Sequence, residues 1–239
     1  MMRRLLLGSF LIIFSSILHS NENLEPENTT FSRVGIKDYY PTLVKLFDEA
    51  FKDDAKARMV TIPSFAPESV IFIKKKDDTY KIIRLEPKLS YWPVISKQLD
   101  SKYRDYPSNN VNDIEITKCE SNLEPKLAIE SIKLWKKMLF RTRYSKHVIA
   151  GADGVSYHFS VPAQFHSTEK HLVNKLISHL SMAGRTWSPR KNSTTELLVS
   201  LANSLAAYCM KQKEVDSISN AIENLKKRLK NIRKQSSLD

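Results

Sequence analysis

Glycine is scarce in this chain: there are five in 239 residues, at Gly8, Gly35, Gly151, Gly154 and Gly184. A dinucleotide fingerprint or a phosphate-binding loop needs closely spaced glycines, because the backbone must turn tightly and approach the phosphate. None of these spacings supplies one. Cysteine is scarcer still, with only Cys119 and Cys209, so no Cys-x-x-Cys redox centre exists. His-Glu-x-x-His, Gly-x-Ser-x-Gly and the alternating-Asp calcium loop are also absent. Beyond residue 20 no apolar run approaches the roughly 18 residues of a membrane span, and that part of the chain is expected to be soluble. No metal and no cofactor is expected.

What the chain does have is enough apolar sequence for a core: 41% of its residues are hydrophobic and 27% charged. Its length fits one domain with appendages or two small ones, and a chain of this size buries most of its unfolded surface, which argues against a disordered polymer. The net charge of +12 is unevenly spread. Residues 21–120 hold 16 Lys and Arg against 17 Asp and Glu, whereas residues 121–239 hold 20 against 9. The basic character therefore belongs to the second half.

Arg3 and Arg4 precede an apolar run from Leu5 to Leu18, which ends at His19 and Ser20. That is the order of a secretory signal peptide. As a helix the run reaches about 21 Å at 1.5 Å per residue, short of the roughly 30 Å of a hydrocarbon core. Cleavage near Ser20 is expected, with retention as an anchor the alternative, since Leu18 is not small. Export bears on the cysteines. An oxidising compartment favours pairing Cys119 with Cys209 and closing a loop of about 90 residues, the alternatives being two inert thiols or a cysteine nucleophile working with His158, His166, His171 or His179.

The pattern divides into a signal peptide (1–20), a flexible polar leader (21–36), an α+β domain (37–210) and a basic, heptad-patterned helical tail (211–239). In the domain, Leu43, Leu46, Phe47, Ala50 and Phe51 recur at helical spacing and predict a helix over residues 39–58. Residues 70–75 and 80–85 read as strands of a hairpin turning at Lys76-Asp77-Asp78-Thr79. Residues 122–143 predict a helix with Ala128, Ile132, Trp135 and Leu139 on one stripe and Asn122 as its cap. A second hairpin is expected over 144–161, hinged at Asp153-Gly154, with Ser156, His158 and Ser160 on its polar face. Residues 167–182 predict another helix, and 183–191 a loop or short strand. Ser193 to Glu196 form a capping box, followed by one long helix with a phase break near Gln212 or by two helices. The expected fold is a small antiparallel or mixed sheet covered by helices, with a long helical tail.

The basic run over residues 133–147 is the most distinctive feature. Lys133, Lys136, Lys137, Arg141, Arg143, Lys146 and His147 occur without an intervening acid, and Phe140 and Tyr144 lie among them. Such a face can capture an anionic protein, a lipid headgroup or an envelope polymer; alternatively it is a solvated face whose lysine stems cover apolar surface. Nucleic acid is the weaker partner, because a recognition module is missing and export separates the two. In the tail, Val215, Ile218, Ile222, Leu225, Leu229 and Ile232 form a heptad seam flanked by lysines and arginines. It can pack on its own domain, self-associate or lie on an anionic membrane surface.

Catalytic readings are thinner. His158, His166, His171 and His179 cluster in sequence, but His171 and His179 would lie about 12 Å apart along a helix, too far for one tetrahedral zinc ion. Asp153 with His158 and His171 offers acid and base groups for a hydrolase, although an Asp-Gly hairpin turn explains Asp153 equally. Trp187, within Arg185-Thr186-Trp187-Ser188-Pro189-Arg190, is a candidate stacking residue or a half-buried loop anchor. Asn28 and Asn192 begin short Asn-x-Thr sequons.

Trp135, Met138-Leu139, Thr142-Arg143-Tyr144, Asp153-Gly154, Tyr157-His158-Phe159 and Trp187-Ser188-Pro189 together resemble a loosely defined group of small exported bacterial proteins of unknown function. The resemblance spans roughly residues 87–209 and implies a bacterial envelope location; it brings no activity, cofactor or catalytic residue. The expectation is an exported, non-enzymatic binding or interaction protein, periplasmic or secreted, that captures an anionic partner through the basic helix face. The alternatives are a secreted hydrolase and a secreted effector or toxin-neutralising protein.

Overall fold

The computed structural model describes residues 22–27, 39–92, 111–144, 154–162 and 181–235. The signal peptide segment, Lys146, His147, Asp153, His166, His171 and His179 lie outside these residues. Seven strands, β1 (Glu25–Pro26), β2 (Ala55–Pro63), β3 (Ser69–Lys76), β4 (Thr79–Pro87), β5 (Ile116–Leu123), β6 (Val155–Pro162) and β7 (Ser181–Trp187), form one sheet. Their order is β1-β7-β6-β2-β3-β4-β5, and every neighbouring pair is antiparallel. The helices are α1 (Tyr39–Leu46), α2 (Pro125–Leu139), α3 (Thr194–Cys209) and α4 (Val215–Gln235). The architecture is α+β, as the pattern predicts.

Alternation along the strands supplies both faces of the sheet with apolar side chains. Ala57, Met59, Ile71, Ile73, Ile82 and Phe159 point into one core, closed by Trp135 and Met138 of α2, Leu198, Leu201 and Leu205 of α3, and Ile218, Ile222, Leu225 and Leu229 of α4. Val60, Ile62, Val70, Phe72, Ile83 and Leu85 point to the other face, under Tyr39 and Leu43 of α1, Phe47 and Tyr91. Beneath α1 the buried Glu68 carboxylate accepts hydrogen bonds from the Tyr39 hydroxyl (2.9 Å) and the Tyr91 backbone N–H (2.8 Å). A buried carboxylate is tolerated only with such partners.

Several expectations need correction. The helix predicted over 39–58 ends at Leu46; a 3₁₀ turn at Asp48–Phe51 follows, and Ala55–Pro63 is the strand β2. The helical spacing stops at Phe51, and beyond Asp53-Asp54 the period changes to two, with Val60, Thr61 and Ile62 favouring extended backbone. The hairpin predicted over 144–161 does not form as read: β6 lies between β2 and β7, so both of its edges are taken. Ser181 and Met182, expected at a helix end, begin β7. Asn122 does not cap α2 but lies within β5, which runs to Leu123, and the helix starts at Pro125 after Glu124. Proline at the first helical position has no N–H to leave unpaired.

The leader expected to be flexible is folded where it is described. Leu24 is fully buried in the α2/α3/α4 core, and Glu25–Pro26 pairs with Gly184 and Arg185 as the edge strand β1. Gly184 is required there: a Cβ on it would lie 2.7 Å from Thr142 and 3.1 Å from Leu24.

Residues 191–239 contain two helices within the described part. The Ser193 hydroxyl accepts from the Glu196 N–H (3.1 Å), and the Glu196 carboxylate reaches back to the Asn192 N–H (3.3 Å), one residue earlier than a standard capping box. Helix α3 stops where Lys211 adopts φ +57°, a left-handed conformation that ends a helix. The chain reverses and α4 returns along α3. The heptad seam is thereby used inside the chain: Ile218, Ile222, Leu225 and Leu229 are buried, while Val215 is exposed and Ile232 half-buried. The tail belongs to the same body as the sheet.

Cys119 of β5 and Cys209 at the end of α3 are joined by a disulfide, with their Cα atoms 5.9 Å apart. It fastens the edge strand to the helix layer. The Tyr208 hydroxyl donates to the Asn122 carbonyl (3.1 Å) beside it.

Candidate functional site

Two arrangements of polar side chains stand out, one open and one closed. The open one is the outer surface of α2 and α4. Its apolar stripe fixes the rotation of α2: with Leu127, Leu134, Trp135 and Met138 buried, Lys133 and Lys137 must face outward, and both are exposed. Lys136 and Arg141 are half-buried and Arg143 is exposed. Ile129, Lys133, Lys137 and Phe140 fall within an arc of about 80° at 100° per residue. Phe140 keeps helical backbone as the residue that closes α2, and it is 75% exposed, with Tyr144 at 72%.

On α4 the same logic turns Lys227, Lys230, Arg233 and Lys234 outward. Helices α2 and α4 pack side by side, and Lys226 Nζ joins them by lying 3.0 Å from Glu130 and 2.9 Å from Glu223. Glu130 is the last acid on α2, and Glu223 the last on the described part of α4. Beyond that bridge, residues 131–144 carry five basic side chains and residues 224–235 carry six, with no carboxylate in either stretch. Among the described residues, Lys133, Lys137, Arg141, Arg143, Lys227 and Lys230 form no ion pair.

The N-terminal segment holds the two basic halves at the same end of the layer. The Arg143 N–H donates to the Leu24 carbonyl (2.9 Å). Two residues earlier, the Glu22 carboxylate accepts hydrogen bonds from the Arg228 guanidinium and from the Thr194 hydroxyl and N–H. Burial works against the Glu22 charge, but the bonds from Arg228 and Thr194 outweigh it and hold the carboxyl below its ordinary value of 4.5. Thr194 is the first residue of α3, so a carboxylate here also complements the helix dipole.

The closed arrangement surrounds His158. On β6, Ser156, His158 and Ser160 share a face and oppose Ile62, Val60 and Arg58 of β2. His158 Nδ1 lies 2.7 Å from Glu27 Oε1, and its Nε2 lies 2.7 Å from Ser156 Oγ. Burial pushes the imidazole below its ordinary pKa of 6.5, assisted by Arg185, against the opposing pull of Glu27. The neutral ring then donates from Nδ1 to the carboxylate and accepts the Ser156 hydroxyl at Nε2. Arg58 lies close by, stacked 4.2 Å over Phe51 and donating to the Ala50 carbonyl (3.2 Å). Burial lowers the Arg58 pKa and raises that of Tyr40, and both groups sense the Glu27 charge.

Serine, imidazole and carboxylate in this order match the proton path of an acyl-transfer site. The surroundings differ from such a site. His158 is only 6% exposed, and the N–H groups of β6 serve ladders on both sides, leaving that strand no pair to receive an oxyanion. What the cluster does is anchor Glu27, and with it β1, to the middle of the sheet.

The structure thus brings Lys133, Lys136, Lys137, Arg141 and Arg143 to one surface and adds the basic face of α4 to them. It gives His158 partners that sequence reasoning missed, Glu27 and Ser156. Ser156 was legible as a neighbour on the same strand face; Glu27, 131 residues away, carried no signal. Among the described residues no group of His, Cys, Asp and Glu could hold a metal ion, and no helix is long and apolar enough to cross a membrane. Compared with protein families, curated proteins and solved structures, the chain matches none of them.

Proposed function

We propose that this chain is an exported, non-enzymatic binding protein that captures an anionic partner on the joint basic surface of α2 and α4. Export is read from the order of Arg3-Arg4, the Leu5 to Leu18 run and Ser20, and the Cys119–Cys209 disulfide is consistent with an oxidising compartment such as the bacterial periplasm or the cell exterior. The observation that carries the binding reading is that two acid-free helix halves, distant in sequence, lie together, and that Lys133, Lys137, Arg141, Arg143, Lys227 and Lys230 on them form no ion pair among the described residues.

Clustered like charges destabilise a fold unless something else is gained. Here Lys133, Lys137, Arg141, Arg143, Lys227 and Lys230 meet no acid among the described residues, although acids are abundant elsewhere: Lys118, for example, meets both Glu49 and Glu120. A surface of this kind attracts polyanions strongly at low salt and weakly at high salt. Reversing charge at Lys133, Lys137 and Arg141 tests it. The triple variant should lose binding to a soluble polyanion such as heparin and to envelope fractions, and the salt dependence of the remaining binding should flatten. Unchanged binding with unchanged salt dependence would refute the proposal.

A further inference from the structure

The basic surface is not purely ionic. Phe140, which caps α2, and Tyr144 just beyond it are large hydrophobic side chains left 75% and 72% exposed among the cations, and Ile129 (38%) lies on the same stripe as Lys133 and Lys137. A soluble polyanion offers nothing for such aromatic rings to enter. An anionic bilayer offers both parts: headgroups for lysine and arginine, and the interfacial region in which amphipathic aromatic side chains lodge.

A second observation points the same way. The Glu22 carboxylate is bonded to Arg228 and the Leu24 carbonyl to the Arg143 N–H, so the folded body takes up its N-terminal segment at the edge of this surface. Leu18, the last residue of the apolar run, is four residues before Glu22, and a chain that short reaches at most about 14 Å. While the run is in a membrane, before cleavage or as a retained anchor, the basic surface is therefore held within reach of the headgroups.

Resting on the anionic-partner reading above, we infer that the partner is the anionic lipid leaflet of a membrane, with Phe140 and Tyr144 entering the interface and Lys133, Lys137, Arg141, Arg143, Lys227 and Lys230 contacting headgroups. Near an anionic leaflet each basic residue adds to the attraction and a second, apolar signal is needed for stable attachment. The side chains here supply both.

The test uses the chain as recovered from cells, its N-terminus read by mass spectrometry, with phosphatidylcholine vesicles, the same vesicles containing phosphatidylglycerol, and heparin. Every variant carries the same N-terminus, so differences between them report the surface alone. The expected result is phosphatidylglycerol-dependent sedimentation that weakens about a hundredfold when Lys133, Lys137 and Arg141 are changed to Glu. Changing Phe140 and Tyr144 to Ser should weaken vesicle binding about tenfold and leave heparin binding unaltered. A Phe140→Trp variant should shift its emission to the blue on phosphatidylglycerol vesicles. Heparin binding without phosphatidylglycerol-dependent vesicle binding, or vesicle binding indifferent to the two aromatic changes, overturns the lipid assignment while leaving the anionic-partner reading intact. Failure to bind either overturns both.

Discussion

Lys226 Nζ lies 3.0 Å from Glu130 Oε2, and this contact marks where the helix layer changes electrostatic character. Up to that contact α2 carries Glu130 and α4 carries Asp216 and Glu223; beyond it neither helix carries an acid within the described residues. An exposed pair of this kind contributes about 0 to 1 kcal/mol, so its significance is positional. It marks where two basic stretches that the sequence separates by some ninety residues are brought side by side by the apolar core beneath them.

Cutting that contact should have little effect on stability. Glu130→Gln is expected to change the unfolding free energy by less than about 1 kcal/mol while strengthening heparin binding slightly, because Lys226 keeps only Glu223. Urea unfolding and a heparin column compare the two quantities directly. A large loss of stability would show that the bridge, and not apolar packing, joins the helices.

The N-terminal segment should behave as part of the core. Leu24→Ala removes a fully buried side chain, and such changes cost about 2 to 5 kcal/mol. Glu22→Gln should cost about 1 to 2 kcal/mol, because a charged acceptor for Arg228 and Thr194 is lost. Since the Glu22 pKa lies below its ordinary 4.5 in the folded chain, the stability it contributes is present above that value and disappears as pH falls through the folded pKa. The Gln variant should therefore show a smaller loss of stability between pH 5 and pH 3. Full stability in Leu24→Ala would place the segment outside the fold.

His158 gives a second pH dependence at higher pH. Its folded pKa is depressed by burial and Arg185 despite Glu27, with Ser156 on its other nitrogen and Arg58 and Tyr40 nearby. The unfolded chain therefore binds the proton first. Stability is full above about 6.5 and declines as pH falls below it. His158→Gln should be less stable at pH 7.5 yet flatter between pH 7 and pH 5 in thermal melts. An equal slope in both proteins would assign the titration to another group.

Much of the fold was legible because its elements have clean periods. The apolar stripe of α2, the β3/β4 hairpin and the alternation of β6 follow from spacing alone, and the heptad seam of α4 was evident, though not what it packs against. Residues 39–58 misled because Leu43, Leu46, Phe47 and Ala50 are helically spaced on both sides of Leu46, so the end of the helix is set by tertiary packing of β2. Residues 22–27 were illegible for another reason. A two-residue strand has no period, and a segment with one apolar residue among acids reads as solvent-exposed until Arg228, Thr194 and His158 are seen to meet those acids. The basic run on α2 was visible, but its doubling by α4 depends on the helix reversal at Lys211.

Reduction of Cys119–Cys209 should be costly. Closing a loop of 90 residues stabilises by about 4 to 5 kcal/mol on a chain-entropy account, or about 8 to 20 °C in Tm for a chain of this size. Thermal melts with and without reductant, and the Cys119→Ser, Cys209→Ser double variant, check this. Peptide mapping without reductant should recover the two cysteines in one linked species.

The most direct measurement of the central claim is heparin affinity as a function of salt for the wild-type chain and for the Lys133→Glu, Lys137→Glu, Arg141→Glu variant, with thermal melts establishing that both are folded. Polyanion capture on the α2/α4 surface predicts a steep linear fall of log affinity with log salt in the wild type, and a weaker, flatter line in the variant. Two superimposable lines from two folded proteins would contradict it.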